Sequence, residues 1–232
     1  FMGGCALNCL ANRLIPDYFN DHYIMPNPGD AGSSLGAILA KAKYKTWSSF
    51  PIFPFTPYLG YNIDKKYPVE GLIEKLSTDK IVGVANGRAE FGPRALGNRS
   101  LLADPRDPEI KDKVNKIKQR QEFRPFAPVI RQEDVAQYFD VSSTFRSPYM
   151  QQVVKCKVPD LFPAIVHKDG TSRVQTVESD QHQGLYELLT KWKKKTGCPM
   201  LLNTSLNIKN KPIVNDEDDA TRFEEEYGVS VL

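Results

Sequence analysis

Cysteine and histidine are scarce in this chain, and that scarcity removes whole classes of protein at once. Four cysteines, Cys5, Cys9, Cys156 and Cys198, stand among 232 residues with no Cys-x-x-Cys pair, which excludes a disulfide-stapled scaffold and reads as reduced thiols in a cytoplasmic protein. Three histidines, His22, His167 and His182, lie far apart in sequence, so no helix face offers two imidazoles to one metal. No apolar run approaches the roughly 18 residues of a membrane-crossing helix, and no membrane partner is expected. Charge of one sign is not in excess either: 31 basic against 28 acidic residues leave a net +3, too little to imply nucleic acid, though compatible with an anionic ligand. The P-loop and the dinucleotide fingerprint are both missing.

What is present is an ordinary globular balance, 41% hydrophobic and 25% charged, enough for one large domain or one domain plus a piece of another. Periodicity and caps predict helices over 33–42, 69–77, 109–121, 133–139 and 183–196, the last closed by Gly197, and over 216–227 with Asp216 as N-cap. Strand character is strongest at Lys80–Ala85 and Met200–Leu202, with an extended stretch at His22–Met25. Between Tyr44 and Tyr67 a run rich in Pro, Phe and Tyr has neither period and is expected to be a linker packed along a surface. Mixed elements without a regular βαβ rhythm favour an α+β fold.

Four segments carry the chemistry. Asn86 to Ser100 sets Arg88, Arg94 and Arg99 among three glycines and a proline, with Arg106 shortly after. Glycine lets backbone N–H groups approach a ligand, and guanidinium forks match phosphate oxygens, so such a loop suits a polyanion; the bland reading is a solvated loop. Lys118-Gln119-Arg120, followed by Phe123-Arg124-Pro125-Phe126-Ala127-Pro128, is a second basic cluster, or else a helix end whose cations complement the dipole. His167 to Arg173 is a polar turn, and Asn203-Thr204-Ser205-Leu206-Asn207 offers short amides and hydroxyls after a strand.

Seven motifs in order carry a resemblance: Gly3-Gly4-Cys5-Ala6-Leu7-Asn8-Cys9-Leu10-Ala11-Asn12, Pro28 to Gly36, Pro57-Tyr58-Leu59-Gly60, Glu90-Phe91-Gly92-Pro93-Arg94-Ala95-Leu96-Gly97-Asn98-Arg99-Ser100, Phe123 to Pro128, Asp169 to Val177, and Asn203 to Asn207. Together they resemble the O-carbamoyltransferases of nodulation-factor and antibiotic biosynthesis across nearly the whole chain. The resemblance implies two pieces. Residues 1–55 look like the end of an ASKHA-type transfer domain. Residues 56–232 look like a YrdC-like domain, a twisted open α/β sheet that forms carbamoyl-adenylate from ATP and carbamoyl phosphate with Mg²⁺. It also implies an acceptor with a free hydroxyl on a sugar, an antibiotic or a hydroxymethylated nucleobase. A chain that opens on Phe1 and runs straight into a glycine motif is expected to be completed by an upstream segment or a second subunit.

Carried over position by position, Lys118, Arg120, Arg124, Ser205 and Asn207 would be catalytic. Arg88, Arg94, Arg99, Ser100, Arg106, His167, Arg173 and Asn203 would bind ATP and carbamoyl phosphate. Gly3, Gly4, Asn8 and Asn12 would flank a nucleotide in the transfer domain, and Asp30 would ligate its metal, usually iron. The paired histidine ligands of the family have no counterpart here, which leaves the iron site incomplete. Gln121 stands for a usual glutamate, Leu206 for a phenylalanine and Lys211 for an acid. The alternative is a non-catalytic nucleotide- or RNA-binding YrdC-like module, for which Lys191-Trp192-Lys193-Lys194-Lys195 is the one nucleic-acid-like patch.

Overall fold

The computed structural model describes residues 1–45 and 56–232, so residues 46–55 of the expected aromatic linker lie outside the described residues. The elements in chain order are α1 (Cys9–Asn12), α2 (Ser33–Lys45), β1 (Tyr58–Ile63), α3 (Val69–Thr78), β2 (Ile81–Ala85), β3 (Gly87–Glu90), β4 (Arg99–Ala103), α4 (Ile110–Ile117), β5 (Ala127–Arg131), α5 (Val135–Tyr138), β6 (Val153–Lys155), β7 (Thr171–Arg173), β8 (Gln175–Val177), α6 (Gln183–Thr196), β9 (Met200–Ser205) and α7 (Glu217–Tyr227). The α+β expectation holds.

A five-stranded mixed sheet in the order β2-β4-β9-β5-β8 forms the centre, antiparallel except where β5 meets β8. Successive residues along β4 and β5 are buried, as are Met200–Asn203 of β9, so both faces of the sheet are covered. Helix α3 packs on α6, and α6 in turn lies on β5 and β9, burying Leu72, Leu76, Leu185, Leu188, Leu189 and Trp192. The caps that the sequence announced are made: Gly197 adopts φ 74° after α6, and the Asp216 carboxylate accepts from the Asp219 N–H before α7.

Several expectations are corrected. Helix α4 stops at Ile117, because Gln119 enters the left-handed region (φ 50°) and the Arg120 N–H turns back to the Asn115 carbonyl. The helix expected over 133–139 is one 3₁₀ turn followed by the four residues of α5. The arginine-rich loop contains two strands, β3 and β4. Within the expected linker, Tyr58–Ile63 is a strand paired with β3, with a register shift between Tyr58 and Asn62. Gly60 hid it from a pattern search and is needed there, since a Cβ would lie 2.8 Å from that of Ala89. His22–Met25 joins no ladder; Ile24 instead packs with Ala6 and Ile15.

The first 32 residues lie against the sheet domain. Asn12 Nδ2 donates to the Gln151 carbonyl at 3.0 Å, Gln151 Nε2 to the Met25 carbonyl at 2.7 Å, and Gln152 meets His22 at 2.9 Å.

Candidate functional site

An arginine-lined basin opens where three structures end together. Strand β9 delivers Asn203, Thr204 and Ser205; the segment before β5 delivers Arg120, Phe123, Arg124, Pro125 and Phe126; the loop between β3 and β4 delivers Pro93, Arg94 and Ala95. Register explains the convergence, because Asn203 faces Ala127 across one ladder and Leu102 across the other. Met150, His167, Arg173 and, from the first segment, Cys9 complete a cavity of about 480 Å³.

Its electrostatics are one-sided. Arg94, Arg120, Arg124 and Arg173 line it with no carboxylate among the lining residues. The Arg94, Arg124 and Arg173 guanidiniums make no hydrogen bond or ion pair among the described residues, and Arg173 Nε is buried without a partner. Arg120 is braced: Nε donates to Asn115 Oδ1 at 2.6 Å, Nη2 to the Pro125 carbonyl at 3.2 Å, and the guanidinium lies 4.1 Å from the centre of the Phe126 ring. Burial pushes Arg173 down to about 10, with Arg94, Arg120 and Arg124 adding like-charge repulsion; burial and then Arg124 push Arg120 to about 10 as well. Both remain charged at neutral pH. Gathering unpaired cations in a half-enclosed cavity is costly unless an anion offsets them, so the arrangement is built for a polyanion.

Lys118 stands behind this wall, 5% exposed. Its ammonium donates to the Ser205 carbonyl, to the Asn207 carbonyl at 2.8 Å and to Asn207 Oδ1 at 3.0 Å, while Ser205 Oγ bonds Asn207 Oδ1 at 2.6 Å. Burial, then Arg120 and Arg124, bring its pKa down to about 7. Ser205 lines the basin, whereas Asn207 faces a shallow depression of about 130 Å³ shared with Lys211, Asp219 and Arg222.

The other expected ligands are placed elsewhere. Arg99, 0% exposed, donates to the carbonyls of Tyr61, Asn86, Gly87, Asn98 and Asn215. Arg106 is paired with Asp104 at 2.6 Å and reaches the Thr196 carbonyl. Exposed Arg88 bonds the Gly60 carbonyl, and buried Ser100 accepts from the Gly97 N–H. These four do not line the basin; buried backbone claims Arg99 and Ser100, and Asp104 claims Arg106. His167 does line it, its Nδ1 2.8 Å from Thr171 Oγ1.

In the first segment, Gly3 (φ 90°) bonds the Pro28 carbonyl, Gly4 opens a 3₁₀ turn, Asn8 caps α1 by accepting from Leu10 and Ala11, and buried Asn12 ties that segment to Gln151. They shape the turn that brings Cys9 to the basin. Asp30 is exposed, and no group of three His, Cys, Asp or Glu suited to a metal occurs among the described residues; the residues present do not fit an iron site. The sequence reading did not assign Cys9, Phe126, Met150 or Thr204 to the basin. Cys9, Phe126 and Thr204 lie inside the motifs that carry the family resemblance, while nothing local marks Met150, whose φ of 56° turns the chain at the cavity wall.

Residues 73–232 match the family described as Carbamoyltransferase C-terminus. The chain belongs to that family. It is 35% identical to nodulation protein NolO of Bradyrhizobium diazoefficiens over 94% of its own length and 44% of the relative's. It is 33% identical to the 3'-hydroxymethylcephem-O-carbamoyltransferase of Amycolatopsis lactamdurans, over 98% and 46% respectively. The chain thus spans less than half of these two relatives. In fold it is similar to full-length HypF in a phosphate- and nucleotide-bound form, with TM-score 0.50 and 19% identity, over 73% of this chain and 21% of that one.

Proposed function

We propose that this chain is the part of an O-carbamoyltransferase that takes up ATP and carbamoyl phosphate and joins them as carbamoyl-adenylate, for transfer to a hydroxyl with the help of an upstream segment or partner subunit. The observation that carries the reading is the basin itself: four arginines, no lining carboxylate, and space for more than one phosphate group. Family membership and the name of the cephem relative support carbamoyl transfer; in this reading residues 1–55 end an ASKHA-type transfer domain and residues 56–232 form a YrdC-like domain.

The chemistry asks for this kind of site. The acyl oxygen of carbamoyl phosphate is already bonded to phosphorus, so atoms balance when water releases phosphate and leaves a carbamate. A carbamate oxygen then attacks the α-phosphorus of ATP, and the bond to the leaving pyrophosphate breaks. Negative charge gathers on phosphoryl oxygens throughout, and fixed cations stabilise it without a covalent protein intermediate. Arg94, Arg124 and Arg173 have free guanidinium donors for those oxygens. Arg120, locked by Asn115 and Phe126, holds its charge in one place. Ser205 and Asn203 add short polar groups at the strand end. With no carboxylate in the lining, Mg²⁺ would arrive on the nucleotide's own phosphates and share the charge stabilisation there.

In the patch of the RNA-binding alternative, Lys191 is paired with Glu70 and Glu187 and Lys193 with Asp134, which leaves the exposed Lys194 and Lys195. The deciding experiment supplies the purified chain with Mg-ATP and carbamoyl phosphate and measures AMP and pyrophosphate. Turnover that needs carbamoyl phosphate and disappears in Arg173→Ala supports the proposal; failure to bind ATP at all overturns it.

A further inference from the structure

The loop that carries Arg94 into the basin has an unusual anchor. Between β3 and β4, residues 91–98 form no strand or helix, so their backbone groups must find partners outside a ladder. Side chains from elsewhere hold the carbonyls: Asn203 donates to Ala95, Tyr58 and Gln175 to Leu96, and Tyr67 to Gly97. Of the N–H groups, that of Phe91 goes to the Pro57 carbonyl at 2.6 Å, and those at the C-terminal end go to side chains. Glu90 Oε1 takes the N–H of Leu96 at 2.6 Å, of Asn98 at 2.8 Å and of Arg99 at 3.4 Å, while Ser100 Oγ takes that of Gly97. Glu90 Oε2 is buried with no partner. One carboxylate oxygen therefore closes the loop at its C-terminal end, and Pro93, Arg94 and Ala95 are the residues that the closed loop presents to the basin.

We propose that Glu90 is a positioning residue for the anion site, fastening the 91–98 loop so that Arg94 reaches the bound phosphate. This rests on reading the basin as a phosphate site, but not on the carbamoyl chemistry. These four carbonyl donors alone do not hold the loop in register, because losing Glu90 strands three N–H groups at the base of the loop. Shape, not charge, is what the loop needs. Glutamine at this position keeps an oxygen at the same reach; aspartate keeps the charge but is one methylene short.

The test is calorimetric titration of the full chain with inorganic pyrophosphate, for wild type, Glu90→Gln, Glu90→Asp, Arg94→Ala and the two Glu90 changes combined with Arg94→Ala. Loss of one charge-assisted contact predicts about a tenfold weaker affinity for Glu90→Asp and for Arg94→Ala. Glu90→Gln is expected within about threefold of wild type, and Glu90→Asp should cost nothing further once Arg94 is gone. A purely electrostatic role gives the reverse, tighter binding in Glu90→Gln and no change in Glu90→Asp, and overturns the proposal. So does an equal loss from Glu90→Asp with and without Arg94. Wild type that fails to bind pyrophosphate sinks the phosphate site together with Glu90; pyrophosphate binding with the expected pattern but no carbamoyl-phosphate turnover sinks the enzymatic reading and leaves Glu90 standing.

Discussion

The Lys118 ammonium sits 3.0 Å from Asn207 Oδ1, close enough to hold the turn after β9 from behind the arginine wall. Lys118→Met keeps the bulk and removes the donor, stranding the Ser205 and Asn207 carbonyls that it serves. The expected cost is about 2 kcal/mol of stability, the penalty for buried acceptors without partners, read as a lower urea midpoint with an unchanged m-value.

The same lysine couples binding to protons. Its pKa near 7 comes from burial first and then from Arg120 and Arg124, so an anion that offsets those arginines raises it. Binding near pH 7.5 should take up protons, and affinity for pyrophosphate should fall as pH rises from 7 towards 9. Titration in two buffers of different ionisation enthalpy measures the uptake directly; identical heats would rule the coupling out.

Arginine substitutions should sort by place. Arg173→Ala is expected to weaken pyrophosphate binding about tenfold or more and to reduce its salt dependence. Arg106→Ala, paired with Asp104 outside the basin, should leave the affinity unchanged. Equal losses from both would mean that the protein's general field, and not the basin, attracts the anion.

Arg99 is a structural arginine. Replacing it with lysine keeps the charge but cannot satisfy carbonyls from five residues, and a cost of about 3–5 kcal/mol is expected, of the size seen when a buried charged network loses a member. Thermal and urea unfolding measure it.

His182 sets an acid limit. Burial brings its pKa down to about 4, its Nδ1 caps α6 by accepting from Leu185, and its Nε2 lies 2.9 Å from Asn98 Oδ1. The unfolded chain therefore binds the proton first, and stability present above pH 6.5 is lost as pH falls towards 4. The shift corresponds to on the order of 3 kcal/mol. His182→Asn retains a capping oxygen and should flatten this part of the stability profile; a slope unchanged in the variant would assign it to other groups.

Much of the site was legible because its chemistry is local. Arg120 and Arg124 lie four residues apart just before Pro125, and Asn203 and Ser205 sit at a strand end whose apolar run is plain. The helices α3 and α6 and the caps Gly197 and Asp216 were readable for the same reason: period and cap are properties of neighbouring residues. Strand β1 was not, since Gly60 and Pro57 break its pattern and only the partner β3 makes it a strand.

Sequence alone determined the inventory, namely arginines on glycine- and proline-rich segments, an α+β pattern, and histidines and cysteines without a zinc-site spacing. Tertiary structure decided which arginine does what. Arg94 and Arg99 stand five residues apart in one motif, yet one faces the basin with no partner among the described residues while the other is enclosed by five carbonyl-bearing residues. A guanidinium satisfies whatever oxygens surround it, and those oxygens come from residues as distant in the chain as Asn215. Cys9 reaches the basin, and Glu90 closes the loop beneath Arg94, by the same long-range packing, which no local pattern encodes.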